Sequence, residues 1–179
     1  GMVFIKEAIE NDFILDVSDD CGTCRLCIDA CPVGALYEGG FHVDQCMSHY
    51  NQTKDILSDE QIQKNYSLFG CDICQMVCPK NIDKGVKTHE EFQLSGKEMV
   101  SIEDLFTLSE KQFKKSYSDM AYLWKGKTVL MRNALMLIAK YHLVEYIEVI
   151  KKSLETHQVH WYQDMAKRVL EKLSHHKKS

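Results

Sequence analysis

The sequence predicts a mostly helical α+β protein in which a cysteine-rich part precedes an all-helical part. All eight cysteines lie between Cys21 and Cys78, where the predicted elements are short. After about residue 100, apolar side chains recur at the spacing of helices, and hydroxyl residues mark helix starts. We therefore divide the 179 residues into an N-terminal segment (1–20), a cysteine-rich domain (21–90) and a helical domain (91–179).

Within the cysteine-rich domain, a small hairpin is predicted around Gly39 and Gly40. Residues 35–37 precede this pair and residues 41–43 follow it, and two glycines between such runs favour a tight turn. The stretch that follows this domain, residues 82–100, shows no sustained period and contains two glycines. We predict a linker there.

The helical domain is predicted from two start signals and three apolar stripes. Ser101 with Asp104, and Ser109 with Gln112, have the form of capping boxes, in which the two side chains bond otherwise unpaired amides. The stripes consist of Leu130, Ala134, Leu137, Ile138 and Tyr141; of Leu143, Ile147, Ile150 and Leu154; and of Tyr162, Met165, Val169, Leu170 and Leu173. Three amphipathic helices with short connections predict stacked pairs of the HEAT type, with a plain helical bundle as the alternative.

Composition and charge exclude several classes of protein. No apolar run approaches the roughly 18 residues needed to span a bilayer, so we expect a cytoplasmic protein that does not associate with membranes. Residues 1–90 contain 7 Lys and Arg against 15 Asp and Glu, whereas residues 91–179 contain 15 against 11. This basic excess is too small for a dedicated nucleic-acid binder. The basic residues interpreted as solvated helix faces are Lys111, Lys114, Lys115, Lys151 and Lys152.

The run CGTCRLCIDACP, from Cys21 to Pro32, matches the bacterial ferredoxin pattern C-x2-C-x2-C-x3-C-P. In this pattern three cysteines bind one [4Fe-4S] cluster and the fourth binds the other. A second run, C-x2-C-x3-C-P, begins at Cys71 and ends at Pro79, but Leu68 stands where its first cysteine would be. The two runs therefore supply seven thiolates where two clusters need eight.

Cys46 is the remaining cysteine and completes the count. We assign Cys21, Cys24, Cys27 and Cys78 to the first cluster, and Cys31, Cys46, Cys71 and Cys74 to the second. Structural zinc sites are the alternative, since C-x2-C pairs also bind zinc. The predicted fold class is thus α+β and mostly helical: a bacterial-type ferredoxin-like domain with two [4Fe-4S] clusters, followed by an all-α HEAT-like domain.

Three segments around these cysteines resemble the iron-sulfur domain of epoxyqueuosine reductase, a cobalamin-dependent enzyme of queuosine synthesis in tRNA. They are CGTCRLCIDACPVGAL, DQCMSHY and LFGCDICQMVCPKN, and the most specific features are Cys46 with Ser48 and the phrase FGCDICQ. Residues 4–7 and 13–15 are similar to the end of that family's cobalamin domain. Residues 132–135, RNAL, are similar to a phrase in its C-terminal HEAT-like helices.

The resemblance implies separate roles for the clusters and for the helical domain. In the family the clusters deliver electrons to the cobalt of cobalamin, which opens the epoxide of the substrate, and the helical domain helps to hold the tRNA. The resemblance also implies that the eight cysteines are cluster ligands, and that Ser48 and Asp72 are candidates for packing near the corrin. The cobalamin domain and its catalytic acid have no counterpart in this sequence, so no catalytic residue is assigned.

On these grounds we expect an iron-sulfur electron-transfer protein that is not catalytically complete by itself. Its expected partners are a redox partner protein, a cobalamin-binding subunit and tRNA, although residues 118–127 lack the paired basic residues that the family often places there. Two alternatives stay open. The chain is either the C-terminal part of a split cobalamin-dependent tRNA reductase, or a binding module in which the clusters only stabilise the fold.

Overall fold

The computed structural model describes Lys6 and residues 21–85, 90–91 and 93–175. Apart from Lys6, residues 4–7 and 13–15, which are similar to the end of a cobalamin domain, lie outside the described residues. Within the described part of the chain, no helix combines the length and the apolar character that a membrane span requires.

Short elements form the cysteine-rich half. They are α1 (Leu26–Ala30), β1 (Leu36–Tyr37), β2 (Gly40–Phe41), α2 (Met47–Tyr50), α3 (Asp59–Lys64) and α4 (Ile73–Met76), with a 3₁₀ turn at Val43–Gln45. The predicted hairpin is confirmed, because β1 and β2 pair antiparallel with Leu36 opposite Phe41. The ring of Tyr37 covers Gly40, since a Cβ at this position would lie 2.1 Å from the end of that ring and would displace it.

Five helices form the other half. They are α5 (Ile102–Thr107), α6 (Glu110–Ser116), α7 (Lys127–Lys140), α8 (Ile147–Thr156) and α9 (His160–His175), with 3₁₀ turns at Ala121–Lys125 and Val144–Tyr146. The predicted starts at Ser101 and Ser109 are confirmed, and Ser109 forms a full capping box with Gln112. At Ser101 only half of the box forms, because the Asp104 carboxylate accepts the Tyr117 hydroxyl at 2.6 Å instead.

Helix α7 lies at the centre of the molecule and packs against α3, α5 and α9. Ten of its 14 residues are buried. The helix is therefore buried on more than the one apolar face that the sequence pattern predicts. The reason is that loops of the cysteine-rich half cover its second side. The mostly helical fold class is confirmed, and Leu57 and Ile62 of the cysteine-rich half join the same hydrophobic core as the helices.

Helices α3 and α9 are also joined by polar contacts at the surface. Arg168 of α9 donates to the carbonyl of Leu57 at 2.8 Å and pairs with Asp59, whose carboxylate lies 2.9 Å from Nζ of Lys172. Hydrogen bonding from Lys172 holds the pKa of Asp59 below its ordinary value, although burial opposes this, and the charge of Arg168 adds to the lowering. The lysines predicted on solvated faces are exposed.

Candidate iron-sulfur centre

All eight cysteines lie within the described residues, and all are free thiols. Cys21 and Cys24 are exposed, and the other six are partly buried. In the described part of the chain, no three His, Cys, Asp or Glu side chains lie close enough together to hold one metal ion. Seven of the eight thiols instead line two cavities.

The four cysteines assigned to the second cluster line one cavity of about 140 Å³. Cys31 follows α1, Cys46 precedes α2, and Cys71 and Cys74 lie at the start of α4. Three separated segments of the chain therefore bring four thiols to one place. Four thiolates are the donor set of a [4Fe-4S] cluster, in which each thiolate binds a different iron, so the residues present fit this group.

The loop after Cys31 surrounds its sulfur with backbone donors. The amide of Ala35 donates to the Cys31 Sγ at 3.2 Å. Gly34 has a φ of +64°, which glycine tolerates best, and the chain turns there. Burial raises the pKa of the Cys31 thiol, but the amides of residues 33–36 outweigh this effect and hold the pKa below its ordinary value. The loop thus stabilises the thiolate, which is the form that binds metal.

Cys71 lies at the side of the cavity nearest to Tyr66. Burial raises the pKa of the Cys71 thiol, and the neighbouring Cys46 and Cys74 raise it further, while the Ile73 amide and the Tyr66 hydroxyl oppose these effects. Burial, followed by the nearby Cys71, raises the pKa of Tyr66 to about 12. The Tyr66 hydroxyl is protonated at neutral pH and lies close enough to the Cys71 sulfur to interact with it. Nothing in the sequence around Tyr66 indicated this contact.

Three of the four cysteines assigned to the first cluster line a second, wider cavity of about 490 Å³. They are Cys21, Cys24 and Cys27, and Cys78 is not among the described residues that line it. Helix α1, which carries Cys27, packs against α4, which ends two residues before Cys78. The structure thus gathers the second set of ligands more completely than the first, and both sets stay predictions.

Ser48 and Asp72, the two candidates for packing near a corrin, line the cavity of the second set. Ser48 also lines a neighbouring open cavity of about 400 Å³, together with Cys46, His49 and Lys125. Asp72 adopts a left-handed conformation with φ of +52°, which begins α4 directly after Cys71. Both residues are therefore beside the second set of thiols, and their packing near a corrin stays a prediction.

The sequence is similar to a known iron-sulfur family and to longer relatives. A family model described as a 4Fe-4S double cluster binding domain matches residues 20–81. Epoxyqueuosine reductase of Staphylococcus aureus is 36% identical over 142 residues, which cover 77% of this chain and 37% of that protein. A Geobacillus stearothermophilus protein, described as uncharacterized and located in the gldA 3' region, is 37% identical over 145 residues, covering 78% of this chain and 67% of that protein.

Solved structures agree with these relatives. The structure of epoxyqueuosine reductase from Streptococcus thermophilus superposes with a TM-score of 0.77 at 28% identity, and the match covers 99% of this chain and 45% of that chain. A crystal structure of epoxyqueuosine reductase with a tRNA-Tyr epoxyqueuosine-modified stem loop gives a TM-score of 0.68 at 28% identity, covering 87% of this chain and 51% of that chain. The chain spans little more than a third of the length of the staphylococcal reductase.

Proposed function

The chain belongs to the epoxyqueuosine reductase family, whose iron-sulfur and C-terminal helical regions it matches, and we propose that it is the electron-transfer module of such a reductase. It holds two [4Fe-4S] clusters. The ligands of the first are Cys21, Cys24, Cys27 and Cys78, and those of the second are Cys31, Cys46, Cys71 and Cys74. The observation that carries this proposal is the single cavity lined by all four thiols of the second set.

When bound, the clusters supply one-electron transfer, and the chain's own residues hold and tune the sulfurs. The amides of residues 33–36 face Cys31, with that of Ala35 donating to its sulfur, and the Tyr66 hydroxyl lies beside the Cys71 sulfur. Hydrogen bonds to the sulfurs favour the more negatively charged reduced state and so raise the reduction potential. Cys31 lies in the first motif but belongs to the second set, so the two sites share one short stretch of chain.

The electron acceptor in this proposal is a cobalamin-binding domain or subunit, and the final substrate is an epoxyqueuosine-modified tRNA. Support comes from the relatives, because the chain accounts for 37% of the staphylococcal reductase and because a related structure includes a tRNA stem loop. The chain supplies the electron relay and is not catalytically complete by itself. A pull-down with the purified chain would identify a corrinoid protein if the enzyme is split between two subunits.

Replacement of Cys46 tests the ligand assignment. We expect the reconstituted wild-type protein to hold about eight irons and Cys46→Ala to hold about four, since only the second cluster loses a ligand. Iron and sulfide analysis after anaerobic reconstitution gives the counts. Ser48→Ala is the matched control and keeps all eight, because the serine lines the same cavity without being a ligand.

Two outcomes would overturn the proposal. If Cys46→Ala loses no iron, the ligand assignment is wrong. If both clusters form but cannot be reduced reversibly within the range of about −700 to +450 mV open to such centres, the relay role is wrong and the clusters are structural. A redox titration of the wild-type protein followed by EPR spectroscopy decides the second point.

A further inference from the structure

Helix α7 presents a buried guanidinium to the loop that follows α2. Arg132 is fully buried and makes three hydrogen bonds to backbone carbonyls of this loop. Nη1 donates to Asp55 at 2.8 Å, and Nη2 donates to Tyr50 at 2.9 Å and to Thr53 at 3.0 Å. A buried charge is costly without such partners, so the arginine and the loop hold each other in one arrangement.

The next residue of α7 joins this loop to a second one. The side-chain amide of Asn133, also fully buried, donates to the carbonyl of Asn51 at 2.8 Å and to the carbonyl of Leu68 at 2.7 Å. Both acceptors are backbone carbonyls, which cannot donate, so the asparagine must direct its NH₂ group at them. Both hydrogens of that group are used. We call Arg132 and Asn133 the α7 clamp.

The two loops held by the α7 clamp lead directly to cysteines of the second set. Asn51 ends α2, and the first turn of that helix is closed by the Tyr50 amide, which donates to the Cys46 carbonyl at 3.0 Å. Leu68 lies three residues before Cys71 in the sequence. The side chain of Asn51 also donates to the carbonyl of Gly70 at 2.9 Å, so the two loops are bonded to each other beside the clamp.

We infer that Arg132 and Asn133 are positioning residues for the second [4Fe-4S] cluster, an inference that rests on the proposed function. Cys46 and Cys71 come from separate segments, and a cluster needs both sulfurs at fixed positions. Residues that hold metal ligands in place affect metal retention strongly even when they do not touch the metal. The helical half of the chain thus contributes to the iron-sulfur site through two side chains of α7.

Variants that hold a single cluster provide the test. In the proposed assignment Cys46→Ala retains only the first cluster, and Cys78→Ala retains only the second. Asn133→Leu, which keeps the side-chain size but removes both donated bonds, is then added to each. We expect iron release to a ferrous chelator to be about tenfold faster in the Cys78→Ala protein and unchanged in the Cys46→Ala protein.

A control on the same helix separates positioning from loss of stability. Leu135 is fully buried and apolar, so Leu135→Ala destabilises α7 by leaving a cavity while keeping the clamp. It should change iron release equally in the two backgrounds. If Asn133→Leu does not fold, Lys140→Met replaces it, because Lys140 donates to the Asn65 carbonyl at 2.7 Å in the loop before Cys71. It should accelerate release in the same background only.

The possible outcomes separate a failure of the positioning role from a failure of the proposed function. If Cys46→Ala and Cys78→Ala each hold about four irons, but Asn133→Leu accelerates release in both or in neither, the positioning role is wrong and the proposed function stands. If the single-cluster proteins do not form in this way, the ligand assignment and the positioning role fall together. Circular dichroism of each variant at the assay temperature confirms that a folded protein is compared.

Discussion

Removal of the Tyr66 hydroxyl should lower the potential of the second cluster alone. The hydroxyl lies beside the Cys71 sulfur and is protonated, with its pKa raised to about 12, so it is available to donate to that sulfur. A hydrogen bond of this kind contributes about 1 kcal/mol. Tyr66 is 37% exposed, so solvent screens the bond and we take about 0.5–1 kcal/mol. Only the part of this energy that differs between the oxidised and the reduced cluster shifts the potential, so for a one-electron couple we expect Tyr66→Phe to be more negative by at most about 20–40 mV.

The measurement is an anaerobic redox titration followed by EPR spectroscopy. Cys78→Ala as the background leaves the second cluster as the single species to titrate. Tyr141→Phe is the matched control, because it removes a hydroxyl from a side chain that is 57% exposed at the end of α7. Unchanged potentials in Tyr66→Phe would refute the reasoning, as would an equal shift in the control.

Three further predictions concern the helical half. The Ser153 hydroxyl donates to the Ile150 carbonyl at 2.6 Å, so in the 2.6 Å bond between Ser153 and Tyr162 the Tyr162 hydroxyl is the donor. Ser153→Ala therefore leaves the Tyr162 hydroxyl buried and unpaired. It should cost about 1–3 kcal/mol in urea unfolding, against about 1 for Tyr162→Phe, and equal costs would contradict this. Burial raises the pKa of Tyr162 from 10.0 to about 12. The stability that this shift contributes is nearly complete below pH 10 and should fall by about 2 kcal/mol by pH 12, and by less in Tyr162→Phe. Ser109→Ala removes the cap of α6 and should cost about 1 kcal/mol, seen as a lower thermal midpoint; an unchanged midpoint would show that the cap contributes nothing.

Local sequence patterns predicted those secondary-structure elements that are determined by residues close together in the sequence. The hairpin follows from Gly39 and Gly40, where a side chain on the second glycine would collide with Tyr37. The start of α6 follows from the reciprocal bonds of Ser109 and Gln112, which span three residues. The same pattern at Ser58, which begins α3 with a full capping box, was available in the sequence and was missed.

The grouping of the second set of thiols was predictable for a different reason. The count of cysteines required Cys46 to join Cys31, Cys71 and Cys74, and the structure places these four around one cavity. Counting does not depend on the path of the chain between the residues. The contact of Tyr66 with Cys71 does depend on that path, because the direction of the Tyr66 side chain is set by the loop between α3 and α4, and no periodic pattern describes this loop.

The division of the chain into a cysteine-rich and a helical part describes the sequence better than it describes the packing. Arg132 and Asn133 lie in a run of apolar residues, where polar side chains would be expected on a solvated face. They are instead fully buried, because they donate hydrogen bonds to backbone carbonyls of the cysteine-rich half. Separating this helix from the two loops would remove the hydrogen bonds that its side chains donate to them. The helical half is therefore part of the support of the iron-sulfur site as well as a neighbour of it.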